Sequence, residues 1–282
     1  MMAGLPPRVL VFDSGVGGLS VAARIHQSLP GADLVYLADN AGFPYGRQSE
    51  QVVIERCCSL IRQSLQQSPC DIIVVACNTA STVVLPHLRA MTELPVVGVV
   101  PAIKPAAACT VNRRVGLLAT PATVQRPYLD ELIAEFASDC DVVRLGHPGL
   151  VCWAEQLVQG AEPPQDELDE AMAPLREAGV DTVVLGCTHY PLLLPWLRKS
   201  LPEVTAWVDS GDAIARRVAF LLGESGRLAA AETPRADTGG VVSEARFTGD
   251  APPDVALFMA EMGMSVARVC EHWPGATTAG SA

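Results

Sequence analysis

Two cysteines occupy matching positions in a repeated segment, and they are the first residues that could do chemistry. Asp71–Thr79 reads DIIVVACNT and Asp181–His189 reads DTVVLGCTH, so Cys77 and Cys187 lie 110 residues apart. In both copies an unbroken run of valine, isoleucine or leucine comes before the thiol, which is typical of a parallel strand buried on both faces. Each thiol therefore follows the C-terminal end of a predicted strand, where open α/β sheets place their chemistry.

The residues after each cysteine predict the start of a helix. Asn78 and Thr79 precede one helical pattern, and Thr188 and His189 precede another in which Pro191 suits a first helical turn. A helix N-terminus favours a thiolate, so we expect both thiols to be activated in this way. Buried cysteines are more often inert apolar residues, and the repeat alone supports both interpretations equally.

Two thiols on facing domains suit a reaction that inverts a stereocentre. One thiolate removes a proton from a carbon, and one thiol supplies a proton to the opposite face. A free cysteine has a pKa of about 8.5, so only modest lowering is needed to form the thiolate. Asp13 and His189 are the candidates to carry protons to or from Cys77 and Cys187. A histidine that only caps a helix is the simpler interpretation of His189.

Other chemistries find less support in the sequence. A pyridoxal enzyme needs a Schiff-base lysine, but neither Lys104 nor Lys199 lies at a strand end with a phosphate loop. Cys187, His189 and His147 could bind zinc, but the paired close spacing of most zinc sites is missing. Cys187 with His189 could form a thiol hydrolase, although residues i and i+2 do not face each other on a helix. That interpretation leaves the first thiol unexplained.

The N-terminal loops should bring more polar groups to the same crevice. Val9–Phe12 predicts a strand that ends at Asp13 and Ser14, followed by a glycine loop and a helix. A dinucleotide fingerprint needs glycine or alanine where Ser20 stands, and the aspartate would repel a pyrophosphate. We therefore expect Asp13 and Ser14 to face the crevice of the first thiol, with a ligand-free glycine turn as the alternative.

A second predicted strand, Leu34–Leu37, leads into a loop rich in turn residues. In that loop Tyr45 and Gly46 could offer a ring and a backbone amide to a small ligand. Alternating strands and helices then predict right-handed crossovers and a parallel sheet. The same pattern begins again at Arg114, after a proline-rich crossing.

The fold class predicted is therefore α/β, with two similar domains, each a parallel sheet flanked by helices. We expect residues 1–98 plus 209–282 to form the N-terminal domain, completed by the C-terminal segment, and residues 99–208 to form the second. The chain length of 282 residues suits two domains of ordinary size.

Composition narrows the class of protein. The net charge of −11 and the lack of a basic run argue against a nucleic-acid partner. Nearly half of the residues are hydrophobic, yet no uninterrupted stretch could span a bilayer, and we expect no membrane partner. The N-terminus lacks the pattern of a secretory signal, and nine cysteines without a framework spacing suit reduced thiols. We therefore expect a cytoplasmic protein.

Four segments carry a resemblance to a known family. FDSGVGGLSV, PYG, ACNTAS and GCTHYP occur in this order and together resemble the motif set of the bacterial glutamate racemase family, within the cofactor-independent aspartate/glutamate racemases. The resemblance implies two pseudo-twofold-related domains with the active site in the cleft between them. It implies glutamate as the small-molecule substrate, no cofactor, no metal, and a role in supplying D-glutamate for peptidoglycan.

The resemblance also implies residue roles. Cys77 and Cys187 would be the acid/base thiols, with Cys77 the base for D-glutamate and Cys187 the base for L-glutamate. The residues at the other motif positions would bind substrate or assist: Asp13, Ser14, Tyr45, Gly46, Asn78, Thr79, Thr188 and His189. Glu155, Thr120 and Thr123 match family positions near the second cysteine or facing the substrate.

The chain departs from the family pattern in two places. The family usually reads D-T-A-R before the PYG motif, and here Asn40 and Gly42 replace the threonine and the arginine. The stretch HPGLVCWAE is also atypical.

Three alternative functions remain. They are a racemase of aspartate or another amino-acid derivative, a one-cysteine amidase or decarboxylase on the same fold, and a non-catalytic amino-acid-binding module. A homodimer is compatible with the sequence, which does not determine the oligomeric state.

Overall fold

Two parallel β-sheets flanked by helices make up the computed structural model, which describes residues 5–234 and 242–274. The remaining parts of the predicted N-terminal domain, residues 1–4, 235–241 and 275–282, lie outside the described residues. Within the described ranges, no helix is both long enough and apolar enough to cross a membrane.

Ten strands lie within the described residues: β1 (Arg8–Asp13), β2 (Asp33–Ala38), β3 (Ile72–Val75), β4 (Val96–Gly98), β5 (Arg114–Ala119), β6 (Asp141–Gly146), β7 (Thr182–Leu185), β8 (Ala206–Val208), β9 (Val242–Phe247) and β10 (Val269–Cys270).

The helices of the described residues are α1 (Leu19–Ser28), α2 (Glu50–Gln67), α3 (Asn78–Met91), α4 (Ile103–Cys109), α5 (Pro121–Val124), α6 (Tyr128–Phe136), α7 (Pro148–Val158), α8 (Gln165–Ala171), α9 (Ala173–Glu177), α10 (Leu194–Ser200), α11 (Gly211–Glu224), α12 (Leu228–Glu232) and α13 (Val255–Glu261). Short 3-10 helices cover Asn40–Gly42, Tyr45–Arg47 and Tyr190–Leu193.

The two sheets repeat one strand order. The first sheet runs β10-β9-β2-β1-β3-β4 and the second runs β6-β5-β7-β8, with every pair parallel. The order β2-β1-β3-β4 therefore corresponds strand by strand to β6-β5-β7-β8. The predicted α/β fold class with two similar parallel sheets is confirmed.

Strand burial explains the apolar runs in the sequence. All four residues of β3 and all four of β7 are buried. Alternate residues of β1 and β3 belong to different apolar clusters, with Val9 and Val74 on one face of the first sheet and Leu10 and Val75 on the other. Helices cover both faces, so the buried side chains of β3 and β7 are apolar except that of Thr182 at the start of β7.

The C-terminal segment adds to the first sheet. Strand β9 pairs in parallel with β2, and β10 pairs with β9 at the edge. Helix α11 packs against α1. These contacts agree with the expectation that the chain returns to its first half, while the domain limits at residues 98 and 208 stay a prediction.

The strand ends bring the sequence motifs together. Strand β1 ends at Asp13, and β3 ends two residues before Cys77. In the second sheet β5 ends just before Thr120, and β7 ends two residues before Cys187. Because these are all C-terminal ends of parallel strands, the loops that follow them meet in one cleft.

Candidate active site

A cavity of about 490 Å³ lies where the two sets of strand ends meet. Nine of the residues predicted for the site line it: Ser14, Tyr45, Gly46, Cys77, Asn78, Thr79, Cys187, Thr188 and His189. Both thiols are therefore present in the wall of one cavity. Its size is within the range of small-molecule sites, and its concave shape is typical of them.

Cys77 is the N-cap residue of helix α3, which begins at Asn78, close to the predicted start. Its side chain is 6% exposed, and its Sγ lies 3.7 Å from the hydroxyl of Ser14. Burial raises the pKa of the Cys77 thiol well above its ordinary value, and the charge of Asp13 raises it further. The backbone N–H of Ala80 acts in the opposite direction but is outweighed. The expected activation of this thiol by a helix N-terminus is therefore wrong, because desolvation is the larger effect.

Asp13 is fully buried and does not line the cavity. Its carboxylate accepts hydrogen bonds from the backbone N–H groups of Ser14 at 2.7 Å and Gly18 at 2.5 Å. Burial raises the pKa of Asp13, against the opposing charge of His189 and these hydrogen bonds. Asp13 therefore acts on the first thiol through its charge, and it also holds the glycine loop in shape.

Cys187 has a different setting. The helical segment predicted after His189 begins as the 3-10 helix Tyr190–Leu193 and is followed by α10, so Cys187 and Thr188 lie in an irregular loop. Because this loop is not helical, Cys187 Sγ and His189 Nδ1 lie 3.7 Å apart although the residues are only two positions apart. The expectation that residues i and i+2 cannot face each other does not apply here.

His189 connects the second thiol to a carboxylate. Its Nε2 lies 2.7 Å from Glu155 Oε1, and this oxygen also accepts a hydrogen bond of 2.8 Å from the backbone N–H of Val16. Burial alone lowers the pKa of His189, but hydrogen bonds with the Cys187 thiol and the Glu155 carboxylate outweigh it and raise the pKa well above its ordinary value. His189 is therefore more than a helix cap.

The glycine loop after β1 allows a close approach between the two halves of the molecule. A Cβ atom at Gly17 would lie 2.2 Å from Nδ1 of His189, and one at Gly15 would lie 2.0 Å from Oε1 of Glu155. The glycines therefore make room for the His189 and Glu155 side chains. This close approach explains the glycines without a dinucleotide.

Asn78 and Tyr45 line the cavity but use polar atoms elsewhere. The Asn78 amide donates a hydrogen bond of 2.7 Å to the carbonyl of Gly186, which links the two cysteine loops. The Tyr45 hydroxyl donates a hydrogen bond of 2.5 Å to Asp39. Tyr45 therefore has its hydroxyl committed to a neighbour behind the wall, so its ring is what it can present to a ligand.

Of the remaining candidate residues, one lines the cavity and two do not. Thr120 lines the cavity, whereas Thr123 is buried and its hydroxyl accepts a hydrogen bond of 2.9 Å from the Thr120 hydroxyl. His147 begins helix α7 and stacks on Trp153 at 5.2 Å between ring centroids, which gives it a capping and packing role.

Sequence reasoning missed part of the cavity wall. Phe43, Arg47, Val151 and Cys152 also line the cavity. Val151 and Cys152 lie four and three positions before Glu155 on helix α7, so helical spacing from Glu155 could have identified both. Phe43 and Arg47 flank the PYG motif, which was the available signal for them.

Comparison with known proteins agrees with this geometry. The sequence profile of the family described as Asp/Glu/Hydantoin racemase matches residues 16–218, more than half of the chain. A glutamate racemase of Shewanella sp. (strain ANA-3) is 52% identical over 217 residues, which cover 77% of this chain and 80% of that protein.

Solved structures of glutamate racemases are also similar to this chain. The Escherichia coli glutamate racemase, in complex with L-glutamate and the activator UDP-MurNAc-ala, has a TM-score of 0.83 and 45% identity over 94% of this chain and 98% of that one. The glutamate racemase isoform RacE1 of Bacillus anthracis has a TM-score of 0.78 and 29% identity, over 95% and 98% of the two chains. The predicted resemblance is confirmed, and the chain belongs to the Asp/Glu/hydantoin racemase family of isomerases.

Proposed function

We propose that this protein interconverts L-glutamate and D-glutamate with two cysteine acid/base residues and no cofactor. The observation that carries the proposal is the presence of Cys77 and Cys187 in the wall of one cavity, each with different charged neighbours. A two-base reaction needs one thiolate and one thiol, and unequal surroundings are what keep two like groups in opposite protonation states.

The starting state for L-glutamate follows from these surroundings. Burial and the charge of Asp13 favour the neutral thiol at Cys77. His189 Nδ1 lies 3.7 Å from the Cys187 sulfur and is placed to exchange a proton with this thiol, while Glu155 holds the other ring nitrogen at 2.7 Å. This distribution leaves Cys187 as the base and Cys77 as the acid.

The proton transfers balance. The Cys187 thiolate removes the α-proton of L-glutamate and becomes a thiol. The Cys77 thiol gives its proton to the opposite face of the α-carbon and becomes a thiolate, and D-glutamate results. The reverse reaction starts from this second distribution of protons, so Cys77 is the base for D-glutamate. We assign His189 and Asp13 as the groups that return the two thiols to their starting states.

Apart from Arg47, the cavity wall offers neutral groups at strand and helix ends for substrate recognition. Ser14, Gly46, Thr79 and Thr188 line the cavity, and we assign their hydroxyls and the Gly46 backbone amide to binding the polar groups of the substrate. Fixed donors of this kind discriminate by length, because a carboxylate one methylene shorter leaves them unpaired. We assign glutamate over aspartate because the similar proteins are named glutamate racemase.

We further propose that the D-glutamate produced supplies peptidoglycan synthesis in the cytoplasm, as the family resemblance implies. The division into residues 1–98 plus 209–282 and residues 99–208 is part of this proposal, since it puts one thiol on each domain. A homodimer is compatible with it.

Circular dichroism of purified protein with L-glutamate tests the function. We expect the signal to decay to zero, to reach the same end point from D-glutamate, and to be unaffected by dialysis against a chelator. L-aspartate at equal concentration should react much more slowly. No decay with glutamate would refute the proposed function, and a rate on aspartate equal to or above that on glutamate would refute the substrate assignment.

A further inference from the structure

An ionic network centred on the buried Asp39 lies behind the cavity wall and involves none of the acid/base residues. Tyr45, which lines the cavity, donates its hydroxyl hydrogen bond to Oδ2 of Asp39. Asp39 is fully buried, and Arg56 of helix α2 binds both of its oxygens, with Nε and Nη2 each at 2.6 Å. The Thr248 hydroxyl adds a hydrogen bond of 2.7 Å to Oδ1.

The network fills the space beside Gly42. A Cβ atom at Gly42 would lie 2.6 Å from Nε of Arg56 and 2.7 Å from Oδ2 of Asp39. The guanidinium of Arg56 therefore leaves no room for a side chain at position 42, where the sequence departs from the family pattern. Glycine at this position and arginine at position 56 are sterically linked.

Asn40, the other residue of this loop that departs from the family pattern, links the loop to the C-terminal segment. Its Oδ1 accepts a hydrogen bond of 2.8 Å from the backbone N–H of Gly249, and its Nδ2 donates one of 2.6 Å to the carbonyl of Asp250. The backbone N–H of Ala41 donates to the Thr248 hydroxyl at 3.0 Å. The loop is therefore held from two sides, by helix α2 and by the segment after β9.

Charge makes the network rigid. Burial alone raises the pKa of Asp39, but hydrogen bonds from Arg56, Tyr45 and Thr248 outweigh it and lower the pKa below the ordinary value. Asp39 is therefore an ionised carboxylate whose position is set by a two-pronged guanidinium contact, the most directional ion pair that proteins form.

The loop held in this way forms a continuous part of the cavity wall. Every residue from Phe43 to Arg47 lines the cavity, and the Phe43 ring lies 5.9 Å from the His189 ring between centroids. We propose that Arg56 is a positioning residue that acts through Asp39 and Tyr45 to hold the wall segment Phe43–Arg47 against the bound substrate. This inference rests on the proposed function.

The predicted effect is on substrate binding. The wall segment carries no acid/base thiol, so its displacement should weaken the binding of the substrate and of the transition state by similar amounts. KM should therefore rise more than kcat falls. Arg56→Met keeps the length of the side chain and removes the ion pair. We expect KM for glutamate to rise about 10- to 100-fold, as for the loss of a charged hydrogen-bonded pair, with kcat changing much less.

Three further variants separate positioning from a loss of stability. Arg62→Met removes an exposed arginine from the same helix and should leave KM unchanged. Arg56→Lys keeps the charge but not the two-pronged contact, so its KM should be intermediate. Tyr45→Phe keeps the ring and the Asp39–Arg56 pair, and should raise KM even if Arg56→Met does not fold.

Alkylation of the cavity thiols gives a readout that does not depend on turnover. Iodoacetamide labelling of Cys77 and Cys187, followed by peptide mass spectrometry, should be several times faster in Arg56→Met and Tyr45→Phe than in wild type, with the exposed Cys109 as internal reference. Unchanged labelling rates, or a KM within twofold of Arg62→Met, would overturn the positioning role. Wild-type protein that does not racemise glutamate would overturn the proposed function alone, and the labelling rates would still decide this inference.

Discussion

His189 and Glu155 are hydrogen-bonded within the second half of the site, with His189 Nε2 2.7 Å from Glu155 Oε1. Since the other ring nitrogen of His189 lies 3.7 Å from the Cys187 sulfur, the carboxylate and the thiol share one imidazole. The geometry is that of an acid/base residue oriented by a third group. The first thiol has different neighbours, among them the Ser14 hydroxyl at 3.7 Å.

Glu155→Gln should impair catalysis without changing the shape of the site. The amide keeps the size of the side chain but removes a charge that, together with the Cys187 contact, raises the pKa of His189, so the imidazole beside Cys187 becomes a weaker proton acceptor. We expect kcat/KM for glutamate to fall about 10- to 100-fold. This is less than the loss expected when an acid/base residue itself is removed. Glu167→Gln, an exposed glutamate of helix α8, serves as the control. A value for Glu155→Gln within threefold of that control would rule out the relay.

The two thiols should have separable stereochemical roles. Cys77→Ser and Cys187→Ser should each lose racemisation by about 100- to 10,000-fold, as expected when a general acid or base is removed. In D₂O, Cys77→Ser should still exchange the α-hydrogen of L-glutamate, and Cys187→Ser that of D-glutamate, which mass spectrometry would detect. Cys109→Ser, at an exposed thiol, should behave like wild type. Full racemase activity in either cavity variant would refute the two-base mechanism.

The pH profile should reflect the raised pKa of Cys77. A thiol whose pKa is raised by burial and by a nearby charge stays protonated to higher pH, so the alkaline limb of kcat/KM should lie above the pKa of about 8.5 of a free cysteine. Asp13→Asn removes a charge that raises this pKa, so the limb should move to lower pH while the maximal rate also falls. Titration of the substrate amino group is common to both proteins and cancels in the comparison. A limb that stays in place or moves upward in Asp13→Asn would contradict the electrostatic account.

Arg246 should stabilise the C-terminal addition to the first sheet. Its side chain is 1% exposed, donates to Ser64 at 2.8 Å and Ser68 at 2.6 Å, pairs with Glu244, and lies 5.0 Å from the Trp273 ring centroid. Arg246→Met should lower the free energy of unfolding by about 3 kcal/mol, the order expected for breaking a buried pair.

Arg268 provides the matched control, because it pairs with the same Glu244 but its side chain is 64% exposed. Arg268→Met should cost less than about 1 kcal/mol. Urea unfolding followed by circular dichroism would compare the two midpoints, and equal losses of stability would show that burial of Arg246 is not the cause.

The strands that carry the site could be predicted from the sequence, because a buried parallel strand appears as a continuous run of apolar residues. The apolar runs before Cys77 and Cys187 are strands β3 and β7, and both thiols lie just past the strand ends as expected. The glycine loop after β1 and the PYG loop also reach the cavity. The strand positions could be predicted from the sequence, since the residues of a strand buried on both faces are mostly apolar.

What the sequence by itself determined was therefore which residues reach the cleft, together with the family to which they belong. The tertiary structure alone decided what those residues are able to do. Cys77 is buried beside Asp13, and this burial reverses the activation that its helix N-terminus predicted. Cys187 meets His189 because the loop between them is not helical, and His189 meets Glu155 from a helix 34 residues away in the chain. Protonation depends on desolvation and on charges brought close by folding, and neither is encoded in the spacing of residues along the chain.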